Sequence, residues 1–213
     1  MMKKLVLMLM AVTMMLPMAN GQELTKAQAK AVKKGVSQKL KDYKKRGYEI
    51  FGSSRTLEAV LTKHYTTLEA KDGKVVEITG FSQAKSRNLA AAAAQNSAAN
   101  RYATSASQQV KGRVLADMAS DVANQEAEFD KFYAAFEGKV QQEIKGELRQ
   151  SFAVAKQNDD GTISVEAYYL VDDDAASHAR INALKNSQNE SAIAQKYAEK
   201  LSQFVNERVV PEQ

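Results

Sequence analysis

The chain has 213 residues, of which 44% are hydrophobic and 26% charged, with two prolines and no cysteine. That composition belongs to a globular protein with a core of its own, and it excludes a disulfide scaffold, a thiolate metal centre and a disordered polymer. Thirty basic residues against 25 acidic ones give a net charge of +5, and the excess is gathered near the N-terminus.

Residues 1–21 open with Lys3 and Lys4, continue as an apolar run from Leu5 to Leu16 broken only by Thr13, and end in Ala19-Asn20-Gly21. This order predicts a cleavable signal peptide with the cut between Gly21 and Gln22. The apolar run covers 12 residues, whereas a spanning helix needs about 20, so the mature chain is expected to carry no transmembrane segment. With no cysteine to acylate, the expected product is exported to the periplasm or beyond and is not lipid-anchored.

Between Gln22 and Gly47 nine basic residues face only Glu23 and Asp42, a net of +7. Val32, Val36, Leu40 and Tyr43 recur at helical spacing through this stretch, and Gly47 supplies a stop. A basic amphipathic helix is predicted. Tyr48 to Phe51 reads as extended, and Gly52-Ser53-Ser54 is expected to turn and cap a second helix bearing Leu57, Val60, Leu61, His64, Tyr65 and Leu68 on one face.

After Asp72-Gly73, the β-branched run Lys74 to Phe81 predicts a strand. An alanine-rich helix follows from Lys85 to Ala103, while Gln108 to Ser120 fits either helix or strand. Phe129, Phe132, Tyr133, Phe136, Val140 and Ile144 lie on one helical stripe and are predicted core. Two alternating runs, Ser151 to Ala155 and Ile163 to Val171, flank Asn158-Asp159-Asp160-Gly161 as a hairpin. Asp172 to Asp174 is expected to close that strand and cap a helix, and the spacing of Ser187 and Glu190 predicts a fresh helix start running through Ile193, Tyr197, Leu201, Phe204 and Val205.

This order of elements over residues 47–205 resembles the LPP20-like family of bacterial envelope proteins. Segments such as Gly52 to Glu58, Lys111 to Val114 and Glu128 to Ala135 are also similar to stretches of uncharacterised secreted proteins of Bacteroides-type bacteria. The resemblance implies an α+β fold, a small, mainly antiparallel sheet of three to four strands with helices packed on one face. It brings no catalytic or cofactor residues. The organisation expected is a signal peptide at 1–21, a basic helical region at 22–72, an α+β domain at 73–174 and a helical region at 175–213.

Chemistry is sparse in the sequence. His64 lies on an apolar helix face and is expected to be a hydrogen-bonded structural residue, and His178 follows Asp174 as an exposed residue near a helix start. Two isolated histidines without cysteine make no zinc site, the aspartate runs lack calcium-loop spacing, and the scattered glycines form no phosphate loop. Neither a metal nor a cofactor is expected. The reading is of a non-catalytic envelope or secreted protein that assembles with or binds a partner, no nucleic acid among them. The alternative is capture of an anionic glycan or lipid by the basic helix, with Lys33, Lys34, Lys44 and Lys45 as contacts. A hydrolase built from residues distant in sequence is the third reading.

Overall fold

The computed structural model describes residues 24–71 and 73–211, so the expected signal peptide lies outside the described residues. The first helix, α1, spans Lys26–Arg46. Thr25 caps it reciprocally: its hydroxyl accepts the Gln28 N–H at 3.2 Å, and the Gln28 side chain accepts the Thr25 N–H at 3.0 Å. At the other end Gly47 adopts φ 75°, and the Tyr48 N–H returns to the Tyr43 carbonyl at 2.9 Å. That left-handed conformation is one a side-chain-bearing residue adopts only with strain.

Strand β1 (Glu49–Phe51) leads to helix α2 (Leu57–Ala70). The cap is Thr56, whose hydroxyl accepts the Ala59 N–H at 3.3 Å, and not the preceding serines; Ser53 instead accepts the Arg55 N–H within the turn. Strand β2 (Val75–Ala84) precedes α3 (Arg87–Asp117), which continues through the segment whose sequence fits helix or strand. Helix α4 (Ala119–Glu147) contains a non-helical residue at Gln125, and the aromatic stripe begins after that break.

The hairpin forms as β3 (Arg149–Gln157) and β4 (Ile163–Asp172), followed by α5 (Asp173–Gln188), α6 (Ala192–Lys196) and α7 (Ala198–Asn206). Two expected caps differ. Asp172 stands at the N-cap of α5 but makes no side-chain cap hydrogen bond. Ser187 lies inside α5, donating to the Ala183 carbonyl at 2.8 Å, and the next helix is capped by Ser191, which accepts the Ala194 N–H at 3.2 Å. A serine hydroxyl satisfied four residues back along its own helix has no lone need to start another.

The four strands form one antiparallel sheet in the order β1-β3-β4-β2, as the α+β class requires. Helices, expected on one face, cover both. On the first face α3 to α7 enclose the larger core, which gathers Val76, Ile78, Val165, Ala167, Tyr169 and Val171 from the sheet with the stripe Phe129, Phe132, Phe136, Val140 and Ile144. Each of those phenylalanines is fully buried, worth about 2–3 kcal/mol apiece. Alanines 90, 94 and 98 bring α3 down onto β2, and a Cβ on Gly80 would overlap the Ala94 carbonyl. The absence of a side chain at Gly80 sets that spacing.

On the second face Phe152, Val154 and Tyr168 project from β3 and β4 into Val32, Val36 and Tyr43 of α1 and Val60 and Leu61 of α2. Alternate residues of the two central strands are thus apolar in both directions, and a single helical layer would leave one set in water. The α1 and α2 layer is the physical answer to that pattern.

Candidate functional site

Polar groups concentrate between that second layer and the sheet. His64, on α2, is 1% exposed. Its Nδ1 lies 2.9 Å from Ser151 Oγ and its Nε2 lies 2.5 Å from Glu77 Oε2. The hydrogen bonding expected of this histidine is found, with partners 87 and 13 residues away. The ring is walled by Phe152, Tyr65 and Tyr168, each edge-on, at centroid distances of 5.0, 5.3 and 6.0 Å.

Each partner has a local reason for its position. Glu77 sits between the inward-facing Val76 and Ile78 of β2, so the two-residue period of a strand turns it toward α2. Ser151 is the extra residue of a bulge: Gln150 pairs with Tyr169 and Phe152 with Tyr168, leaving Ser151 unpaired in the β3 to β4 register. Bulges re-aim a side chain that regular pairing would send to the other face. Strand β1 pairs no further than Ala153, so the edge beside Ser151 is not covered by it. Ser151 is half-buried while His64 behind it is not exposed.

A carboxylate accepts only, so Nε2 carries the proton that faces Glu77, and in the neutral ring Nδ1 then accepts the Ser151 hydroxyl. The three side chains form a directed chain, hydroxyl to imidazole to carboxylate. The sequence places His64 on an apolar helix face as a half-buried residue, whereas the ring is fully buried, and neither partner is legible there. Glu77 was legible only as facing away from the main core, and a bulge leaves no signature in a run such as Gln150 to Ala153.

A second buried carboxylate lies nearby. Glu166, on β4, is 3% exposed, pairs with Arg46 at the end of α1, and accepts the Tyr168 hydroxyl at 3.5 Å. Lys39 lies over the rings of Tyr43 and Tyr168 at 5.2 and 5.1 Å. These contacts fix α1 on the sheet and consume two of its nine cations.

The rest of the α1 charge faces outward. Lys26, Lys30, Lys33, Lys34, Lys41, Lys44 and Lys45 are all exposed. At 100° per residue they occupy an arc of about 120°, turned away from buried Val32, Val36 and Tyr43. Among the described residues none of the seven lies within salt-bridge distance of a carboxylate. The four lysines singled out in the sequence, Lys33, Lys34, Lys44 and Lys45, stand on this one surface. The other exposed residues of the helix, among them Ala27, Ala29, Ala31, Ser37 and Gln38, are small or polar.

Two hollows lie on the surface of the described residues. One of about 580 Å³ runs along α3 and is edged by Asn96, Asn100, Arg101, Thr104, Gln108 and Gln141. It is open and polar, unlike the enclosed apolar clefts that take small molecules. The other, about 210 Å³, places exposed His178 beside Glu143 and Glu147 of α4. Among the described residues no group of three or more His, Asp or Glu is placed to hold a metal ion, and no helix is long and apolar enough to cross a membrane. Comparison with family models, curated proteins and solved structures returns no match.

Proposed function

We propose that this is an exported binding protein whose ligand is an anionic polysaccharide of the cell envelope or its surroundings, held along the outer face of α1. The observation that carries the reading is the row of seven exposed lysines on one arc of a 21-residue helix, none paired with a carboxylate among the described residues. Such a helix is about 30 Å long, so its field acts on a linear polyanion over several charged units. Unpaired surface lysines repel each other at a small cost in stability, and a polyanion removes that cost as it binds. The leader-like segment 1–21 supports the location.

A glycan is favoured over a lipid surface by what α1 has already used. Its only apolar stripe is buried against α2 and the sheet, and its outer face presents lysine, alanine, serine and glutamine. A helix that lies in a membrane interface needs an apolar face to insert. With that face committed to the protein's own core, charge alone is left for recognition.

The test uses the full chain and heparin as the polyanionic probe, with binding measured across a salt series. Affinity is expected to fall at least tenfold between low and physiological salt, and a similar loss is expected at low salt when Lys33, Lys34, Lys44 and Lys45 are all changed to glutamine. Vesicles containing anionic phosphatidylglycerol are expected to bind more weakly than heparin. Salt-independent binding, or an unchanged affinity in the quadruple variant, would overturn the reading.

A further inference from the structure

We propose that Ser151 is an activated nucleophile and that the Ser151, His64 and Glu77 cluster hydrolyses esters of small acyl groups. The proposal is independent of the lysine surface and rests on the geometry of three side chains from three different elements. An activated serine needs a base within hydrogen-bond reach and a third group to orient that base. Here the serine to imidazole distance is 2.9 Å and the imidazole to carboxylate distance is 2.5 Å. The ring is turned relative to the familiar arrangement, in which serine meets Nε2 and the carboxylate meets Nδ1. Both nitrogens are chemically equivalent for the purpose, since Glu77 selects the tautomer that leaves the serine-facing nitrogen unprotonated.

Three further features fit a reacting group better than a structural tie. Ser151 occupies the unpaired position of a β-bulge, which directs a side chain at the expense of regular pairing. It is half-buried, on a stretch of β3 that lies beyond the last residue β1 pairs with. His64 behind it is 1% exposed, with Glu77 at 15%, and a proton relay in that setting is screened from water. The rings of Phe152, Tyr65 and Tyr168 wall His64, and Ser151 lines neither hollow described above, so the acyl group that fits is a small one such as acetyl.

The reaction follows from the hydrogen-bond directions. Ser151 Oγ attacks the ester carbonyl carbon as its proton passes to His64 Nδ1, and the imidazolium so formed is held by the Glu77 carboxylate. The tetrahedral adduct collapses with cleavage of the ester C–O bond, and the departing alkoxide takes the proton from Nδ1 and leaves as an alcohol. Water then attacks the acyl-serine, giving its proton to Nδ1. Collapse of the second adduct returns that proton to Ser151 and releases the carboxylic acid.

The experiment treats the full chain with a fluorophosphonate probe, locates the adduct by peptide mass spectrometry, and follows p-nitrophenyl acetate hydrolysis in parallel. Labelling at Ser151 is expected, with loss of both signals in Ser151→Ala and a fall on the order of a hundredfold in His64→Gln. Glu77→Gln, whose amide oxygen still accepts from Nε2, is expected to slow labelling on the order of tenfold while circular dichroism stays native. If His64→Gln does not fold, Ser151→Ala and Glu77→Gln carry the test. The proposal fails if native protein gives no adduct at Ser151, or if folded Glu77→Gln labels at the native rate.

Discussion

Arg180 donates from Nε to the carbonyl oxygen of Val205 at 2.8 Å, reaching from the middle of α5 to the last turn of α7. The same guanidinium donates to the Glu207 carbonyl at 3.0 Å and to the Tyr102 hydroxyl, and it is 1% exposed. A planar fork with donors on three nitrogens is the group that can meet acceptors on three segments at once. Arg180→Ala is expected to destabilise the protein by about 3–5 kcal/mol, because two buried acceptors and one part-buried acceptor lose their donors and a cavity opens. Arg180→Lys is expected to recover only a minor part of the loss. Urea denaturation of the three proteins checks the order.

Gly80 and Gly112 stand at opposite extremes of the space an added Cβ would find. Gly80→Ala places a Cβ against the Ala94 carbonyl, backbone that α3 cannot move without leaving the sheet, and a loss of about 2 kcal/mol or more is expected. Gly112, inside α3 and exposed, has nothing within 4 Å of an added Cβ. Gly112→Ala is expected to stabilise by about 0.5–1 kcal/mol through helix propensity. Opposite signs in thermal melts are the check.

Tyr133 illustrates a buried hydroxyl that carries a cost. Its Oη has no hydrogen-bond partner, and burial, reinforced by the nearby Asp130, pushes its pKa up to about 12. A phenol whose folded pKa is raised gives stability that is complete below the unfolded value, near 10, and is lost as pH rises through the folded one. Between about pH 10 and 12 the native protein is therefore expected to lose stability, with phenolate absorbance at 295 nm rising together with loss of helical circular dichroism. Tyr133→Phe, which deletes the unpartnered hydroxyl, is expected to be neutral or more stable by about 1 kcal/mol at pH 7 and to lose less between pH 10 and 12. Equal alkaline losses in both proteins would contradict this account.

The exposed α1 lysines can be probed through stability alone. Changing Lys33 and Lys44 to glutamate reduces repulsion along the helix, and a change within about 0.5 kcal/mol is expected at low salt. A large destabilisation would mean that these side chains are structural.

Much of this molecule is legible from periodicity. The stripe Phe129 to Ile144, the hairpin around Gly161 and the stop at Gly47 all appear where local pattern and tertiary demand agree. The second helical layer was legible in halves: Val32, Val36 and Tyr43 announce a buried stripe, but their partners Phe152 and Tyr168 lie more than a hundred residues on. The same separation hides the site. His64 is recognisable on its helix, whereas Ser151 reaches it only through a one-residue bulge and Glu77 only through the pairing of β2 with β4. Arg180 looks like a surface residue until the chain after α7 folds back over it. Ser187 misleads because a serine satisfied within its own helix has the same spacing as a cap.

The sheet carries unequal burdens on its two sides. Thirty-four buried residues form the cluster on the α3 to α7 side and eight form the one beneath α1 and α2. Amide hydrogens of the larger side are expected to be the slowest to exchange, and those of α1 and α2, with the smaller core beneath them, to exchange faster. The helices that carry the lysine row and His64 thus rest on the smaller of the two cores, tied down by the Arg46 to Glu166 pair and the hydrogen bonds of His64. Ser151 is rooted in the sheet beneath them.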